Sequence, residues 1–227
     1  MSSTGQQMLL AAGASPATIS FQELLTYPND GQTVTFLGVG VGAPASGRRV
    51  FVAIPYYLTG STNISIASAT IGGVAATIHA QVFEPPEVAV GGVALISALV
   101  PAGTTADITI TWATSGVAYR PYIAVYRVTG LRSAAPVDIQ AIAPGTTTVS
   151  ATVNVKKGGV VIACFHTYSS GAVSRTMTGL PTDYMASPLS GRIYIGGGDK
   201  TAADGTATAT VNNTGSSVWS AVMASFR

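Results

Sequence analysis

Charge is scarce in this chain. Only 9% of its 227 residues are Asp, Glu, Lys or Arg, against about 25% in an ordinary soluble protein. Eleven basic and nine acidic residues leave a net charge of +2. That balance excludes the clustered basic face that neutralises a nucleic-acid backbone, so no nucleic-acid partner is expected. The only basic pairs, Arg48-Arg49 and Lys156-Lys157, read as solvated edge or turn residues that blunt edge-to-edge aggregation. A single cysteine, Cys164, excludes an internal disulfide. It lies in the apolar run Val160-Val-Ile-Ala-Cys-Phe165 and reads as a small buried hydrophobe. No run approaches the ~20 apolar residues that span a bilayer, so no membrane partner is expected. The N-terminus lacks the features of a secretory signal, because Met1 to Gln7 holds no Lys or Arg and Met8-Leu-Leu-Ala-Ala12 is too short for an apolar core.

Little in the chain supports chemistry. The two histidines, His79 and His166, lie far apart with no carboxylate at ligand spacing, so no metal is expected. His166 follows Cys164 by two residues, which puts both on one side of a strand, but no third group nearby orients the imidazole as a nucleophilic pair requires. Gly196-Gly-Gly-Asp-Lys-Thr201 fails as a phosphate loop, because Asp199 separates the last glycine from the lysine and no helix follows; a flexible hairpin connection is expected. Gly38-Val-Gly-Val-Gly42 reads as a bulged strand end. Paired carboxylates for glycoside hydrolysis are missing. Tyr119-Arg-Pro-Tyr122 with Tyr126 is a contact surface or, at strand spacing, core. The expectation is no enzyme, no catalytic residue and no cofactor.

What the chain does have is strands, given twice. Thr33 to Val41 followed by Arg49 to Tyr57 is echoed by Thr147 to Val155 followed by Gly159 to Thr167. Asp107 to Trp112 and Tyr122 to Tyr126 are echoed by Thr206 to Val211 and Trp219 to Met223. Apolar or alternating runs recur between Gly, Pro, Ser and Asn clusters, and Ile71-Gly-Gly-Val74 is a tight hairpin. No stretch after residue 30 sustains a helical period. The expected fold is all-β, an antiparallel β-sandwich, jelly-roll-like, with pseudo-repeated halves and an N-terminal arm. The arm covers 1–28; a single sandwich covers 29–227, with half-repeats at about 30–130 and 145–227 and a seam at Gly130 to Gly145. Residues 168–190 are expected to form a long loop. The arm carries Met8, Leu9, Leu10, Ile19, Phe21, Leu24 and Leu25, too many apolar side chains to leave in water, and these are the expected subunit contacts.

Thr33-Val-Thr-Phe-x-Gly-Val39, Arg48-Arg49-Val50 into Val52-Ala53, Ala69-Thr-Ile-Gly-Gly-Val-Ala-Ala-Thr77 and Val125-Tyr-Arg-Val-Thr-Gly-Leu131 together resemble a family of structural proteins of tailed phages and prophages of proteobacteria. The resemblance covers about residues 30–226. It implies a virion protein assembled in the host cytoplasm, partnered by major capsid or tail proteins and forming a homo-oligomer. It carries no catalytic residues. A decoration or cement protein on the capsid exterior is the leading expectation. The alternatives are a tail or fibre component binding a host surface glycan or receptor, and a polysaccharide-degrading enzyme on a β scaffold.

Overall fold

A computed structural model describes residues 15–27, 31–58, 65–83, 91–113, 118–119, 121–143, 147–168, 175–187, 192–213 and 218–227. The chain is all-β and antiparallel, with no helix among the described residues. In the first half an inner sheet runs in the order β1 (Thr18–Thr26), β10 (Tyr122–Thr129), β3 (Arg49–Leu58), β7 (Gly91–Leu99), β6 (Thr77–Phe83), with the short β9 (Ala118–Tyr119) also pairing β3. An outer sheet runs β2 (Thr33–Gly40), β8 (Thr105–Trp112), β4 (Ile66–Ile71), β5 (Val74–Ala75). The second half repeats both. Its inner sheet is β11 (Pro136–Ile142), β18 (Val218–Phe226), β13 (Val160–Tyr168), β16 (Arg192–Lys200), β15 (Tyr184–Ala186), and its outer sheet is β12 (Thr148–Val155), β17 (Gly205–Asn213), β14 (Arg175–Thr178). The echoed segments occupy equivalent places: β2 matches β12, β3 matches β13, β8 matches β17 and β10 matches β18. In each half the first strand pairs with the last and the chain crosses repeatedly between the two sheets, with one hairpin kept within the inner sheet (β6–β7, β15–β16), which is jelly-roll-like connectivity.

Burial follows from which faces are covered. One apolar cluster fills the space between the first outer and inner sheets, with Phe36, Val52, Ile54, Ile110 and Trp112 among its members. A second lies between the two inner sheets, where Phe51, Leu95 and Tyr126 meet Ile162, Cys164 and Phe226. A third fills the second half, around Val153, Phe165, Val211 and Met223. The molecule is therefore four layers deep, outer–inner–inner–outer. The inner strands are covered on both faces and are apolar at nearly every position, as in Val50-Phe-Val-Ala-Ile54, all buried. The outer strands have one wet face and alternate; β12 is exposed and buried in strict turn. Continuous apolar strands and alternating strands are the two patterns these environments select.

Several expectations need correction. Thr18–Thr26 of the expected arm is the edge strand of the first inner sheet, paired with β10 from Thr18↔Thr129 to Thr26↔Tyr122. The expected seam contains β11, its counterpart, which pairs β18. The expected loop 168–190 contains β14 and β15, two short edge strands. The glycine run 196–198 is not a hairpin connection but lies within β16, opposite Cys164, Ala163 and Ile162. A Cβ there would collide with the Tyr184 hydroxyl at Gly196, the Pro181 carbonyl at Gly197 and Ile19 at Gly198. Glycine lets other parts of the chain press onto this strand. The Gly-Gly hairpin is as expected, with φ of 59° at Gly72 and 77° at Gly73. Gly38, with φ 61°, sits at a break in register between Phe36 and Val39, the expected bulge.

Arg48 also departs from expectation. It is fully buried, because its guanidinium spans two loops at one end of the first half. Nε donates to the Val100 carbonyl at 2.6 Å, one terminal nitrogen to Gly42 at 2.5 Å and the other to Ala102 at 2.7 Å. Burial pulls its pKa down, and Arg127 adds to this. The second half joins the matching loops with a neutral group: the Thr201 hydroxyl accepts from the Gly159 N–H at 2.8 Å and donates to the Lys156 carbonyl.

Candidate functional site

The two outer sheets turn hydroxyl-rich faces to solvent. On the second, Ser150 faces Thr210 and Thr152 faces Thr208, each pair with its hydroxyl oxygens 2.8 Å apart. Thr148 donates to the Asn212 side-chain oxygen at 3.2 Å. On the first, Thr35 and Thr109 are 3.0 Å apart and Thr33 and Thr111 are 3.2 Å apart. These ladders follow from the sequence. Alternate residues of β12 and β17 are Thr, Ser or Asn, their partners are small and apolar, and neither strand contains a charged residue. β-branched Thr suits a pleated, half-buried strand, and cross-strand Thr pairs stabilise it. Each hydroxyl pair uses one O–H between its members and leaves the other for a ligand or water. Rows repeat about every 4.8 Å across the sheet and about 6.8 Å along it. The result is a periodic hydrogen-bonding surface at each end of the stack, uncharged on β12 and β17 and carrying Asp107 on β8, whose carboxylate accepts from the Gly38 N–H at 2.8 Å.

One edge of each outer sheet is closed by side chains from the neighbouring inner sheet. In the second half the Asp138 carboxylate accepts from the Asn154 backbone N–H at 2.7 Å, and the Gln140 side-chain oxygen accepts from the Thr152 N–H at 2.5 Å. The bond from Asn154 holds the Asp138 carboxyl below its usual range. In the first half Glu23 accepts from the Gly40 N–H. Capped in this way, β2 and β12 offer fewer free N–H groups to a stray strand.

The expected subunit contacts lie mostly against their own chain. Ile19, Phe21 and Leu24 pack on the cluster between the inner sheets, and Leu25 packs on the first-half core. The Phe21 ring lies 5.6 Å from Tyr126, edge to face, and 6.1 Å from Tyr184, stacked. The physical reason is that the β10 edge would otherwise expose its backbone and an apolar face. Met8, Leu9 and Leu10 lie outside the described residues.

The cysteine and histidine singled out by spacing are interior. Cys164 is 1% exposed, and burial pushes its thiol up to about 12; it does share a strand face with His166, which is also fully buried. Cys164 should therefore resist thiol reagents in the native protein for as long as the fold holds, and rapid labelling under native conditions would contradict this. Cys164→Ser should cost about 1–3 kcal/mol in denaturant unfolding, because the hydroxyl enters an apolar setting. Asp183 sits among Gly198, which donates to its carboxylate at 2.8 Å, and the Tyr126 hydroxyl; burial raises its pKa. Tyr126 is core, and Tyr122 packs half-buried with its ring 5.0 Å from Tyr194; the Tyr119 side chain lies outside the description. Among the described residues no three His, Cys, Asp or Glu cluster in a way that would hold a metal ion.

His79 is a structural group with a pH consequence. Its Nε2 lies 2.7 Å from the Ser97 hydroxyl, and its ring stacks on Phe51 at 5.7 Å and meets the Phe226 edge at 5.0 Å. Burial, and then the positive charge of Arg49, lower its pKa to about 4. The unfolded chain takes up this proton near pH 6.5. The unfolded state therefore binds more protons between these values, and stability is full above about 6.5 and falls as pH drops toward 4. With the partly exposed ring discounted for screening, the loss should be about 2 kcal/mol. Melting His79→Gln beside the parent at pH 7 and pH 4.5 checks it; an equal drop in both would show that His79 is not the cause.

Neither Arg48 nor the hydroxyl faces stood out in the sequence as functional features. The alternation of Thr with small apolar residues in β17 was the available signal for the second. Comparison of the chain with protein-family models, with curated proteins and with solved structures finds no match in any of the three.

Proposed function

We propose that this is a non-enzymatic structural protein of a tailed-phage particle, docking on the capsid exterior as a decoration protein. The observation that carries the reading is the charge-free hydroxyl face of β12, β17 and β14. Such a face repels a neighbouring subunit weakly and offers it a regular set of donors and acceptors. The motif resemblance supplies the phage setting. The jelly-roll architecture raises the prior by analogy alone, since viral capsid and lectin domains use it. Major capsid proteins are the proposed partners, with homo-oligomers forming on the lattice.

Electron microscopy of particles labelled with an antibody to this chain tests the proposal. Label spread over the head supports it, and particles without label overturn it. Label confined to the tail favours the second reading, a tail or fibre component binding a host surface glycan, for which the same hydroxyl rows and the lectin analogy speak; binding to host cells or a glycan array would then follow. A face variant, Ser150→Lys with Thr208→Lys, should lose particle attachment while melting close to the parent. Unchanged attachment would remove this face from the proposal.

A further inference from the structure

A second feature lies away from the hydroxyl faces, where the start of β1, the end of β10, the β12–β13 turn and the end of β18 converge. A cavity of about 200 Å³ there is lined by Ser15, Pro16, Arg132, Lys157, Gly158 and Arg227. Three of the six side chains carry positive charge and none carries negative charge, and the Arg227 main-chain oxygen accepts from the Ser133 N–H at 2.7 Å. Arg132 and Lys157 are exposed and Arg227 is half-buried. The Arg227 Nε is buried and makes no hydrogen bond among the described residues, a donor left without an acceptor. The nearby carboxylate, Asp204, is engaged outside the lining: it accepts from the Lys157 backbone N–H at 2.7 Å. That bond first, and then the charges of Lys156, Arg227 and Lys157, hold its pKa below the usual range. Three of the chain's eleven basic residues, Lys156, Lys157 and Arg227, thus act on one carboxylate, and a fourth, Arg132, lines the cavity beside them, in a chain otherwise poor in charge.

We propose that this cavity is a binding site for a phosphate or sulfate group, free or as an ester on a sugar. The volume accommodates a tetrahedral oxyanion with several waters, at about 30 Å³ of liquid volume per water. Arginine and lysine supply charge-assisted donors suited to it. Because the lining comes from both halves, a bound anion also ties the halves together.

The test is calorimetric titration and thermal melting of the full chain with inorganic phosphate, sulfate and glucose 6-phosphate, at ionic strength held constant with sodium chloride. Saturable binding and a rise in melting temperature are expected for the parent and for Lys200→Gln, a cation outside the lining. Arg132→Gln and Lys157→Gln should each weaken binding roughly tenfold, the loss of one charge-assisted hydrogen bond, and melt like the parent without anion. Tighter binding of glucose 6-phosphate assigns an ester on a sugar, and equal binding assigns the free ion. A response that chloride reproduces, or one that both lining variants retain in full, overturns the site.

Discussion

Deletion of residues 1–26 is expected to prevent the chain from folding to a cooperative native state. β1 completes the first inner sheet along the whole length of β10. Its removal uncovers the β10 backbone and the apolar faces of Ile19, Phe21, Leu24 and Leu25 are no longer there to cover Tyr126, Tyr184 and the first-half core. The deletion also takes Ala17, 1% exposed, whose N–H donates to the Gly158 carbonyl at 2.8 Å and so fastens the first half to the second. Half-burial of four large apolar side chains contributes several kcal/mol, at roughly 1.5–3 for a fully buried one. The total stability of a domain is only about 5–15 kcal/mol. The truncated protein should show weak near-ultraviolet dichroism and no sharp thermal transition. A truncation that melts cooperatively within a few degrees of the full chain would mean that this segment is a detachable arm after all.

Arg48→Ala should be among the most destabilising single substitutions, costing about 3–5 kcal/mol in denaturant unfolding. Its guanidinium bonds to Val100, Gly42 and Ala102, carbonyls from loops about sixty residues apart. Truncation leaves those acceptors under-satisfied in a dry setting and opens a cavity at the end of the first core. Arg48→Lys keeps the charge but not the planar fork, so it should recover less than half of the loss. Full rescue by lysine would show that charge rather than geometry holds the loops. A loss under 1 kcal/mol for the alanine variant would show that the loops hold without this residue.

Much of the fold was legible in the sequence. The ordered echo of β2, β3, β8 and β10 in β12, β13, β17 and β18 gave the repeat, because each of these strands is buried on at least one face and burial constrains its apolar pattern. The two segments misread as arm and seam, β1 and β11, are one and the same element of that repeat. Thr18-Ile-Ser-Phe-Gln-Glu-Leu-Leu-Thr26 and Pro136-Val-Asp-Ile-Gln-Ala-Ile142 share little, since an edge strand with a half-wet face accepts many residues. β14 and β15 escaped notice for a related reason: at four and three residues they are too short to show a period. The expected single sandwich missed the four-layer arrangement, for which the continuous apolar character of Val50 to Ile54 and Val160 to Phe165 was the signal, because a strand apolar on both faces needs a cover on each.

The hydroxyl faces were written in the Thr alternation of β17, but alternation alone does not say that Ser150 stands opposite Thr210 or that the face is free of charge; strand order decides that. The cationic cavity depends on the tertiary structure more completely. Arg132, Lys157 and Arg227 are separated by 25 and 70 residues along the chain and share no motif. By itself the sequence determined that the chain would be strands, which of them were interior, and that the pattern was repeated, because burial acts on each strand locally through its period of two. Which segments became neighbours, and hence where Arg48 finds its carbonyls and where the cations gather, was decided by the stacking of two jelly rolls through their inner sheets. Those contacts are made between loops distant in sequence, and loop residues answer to no period.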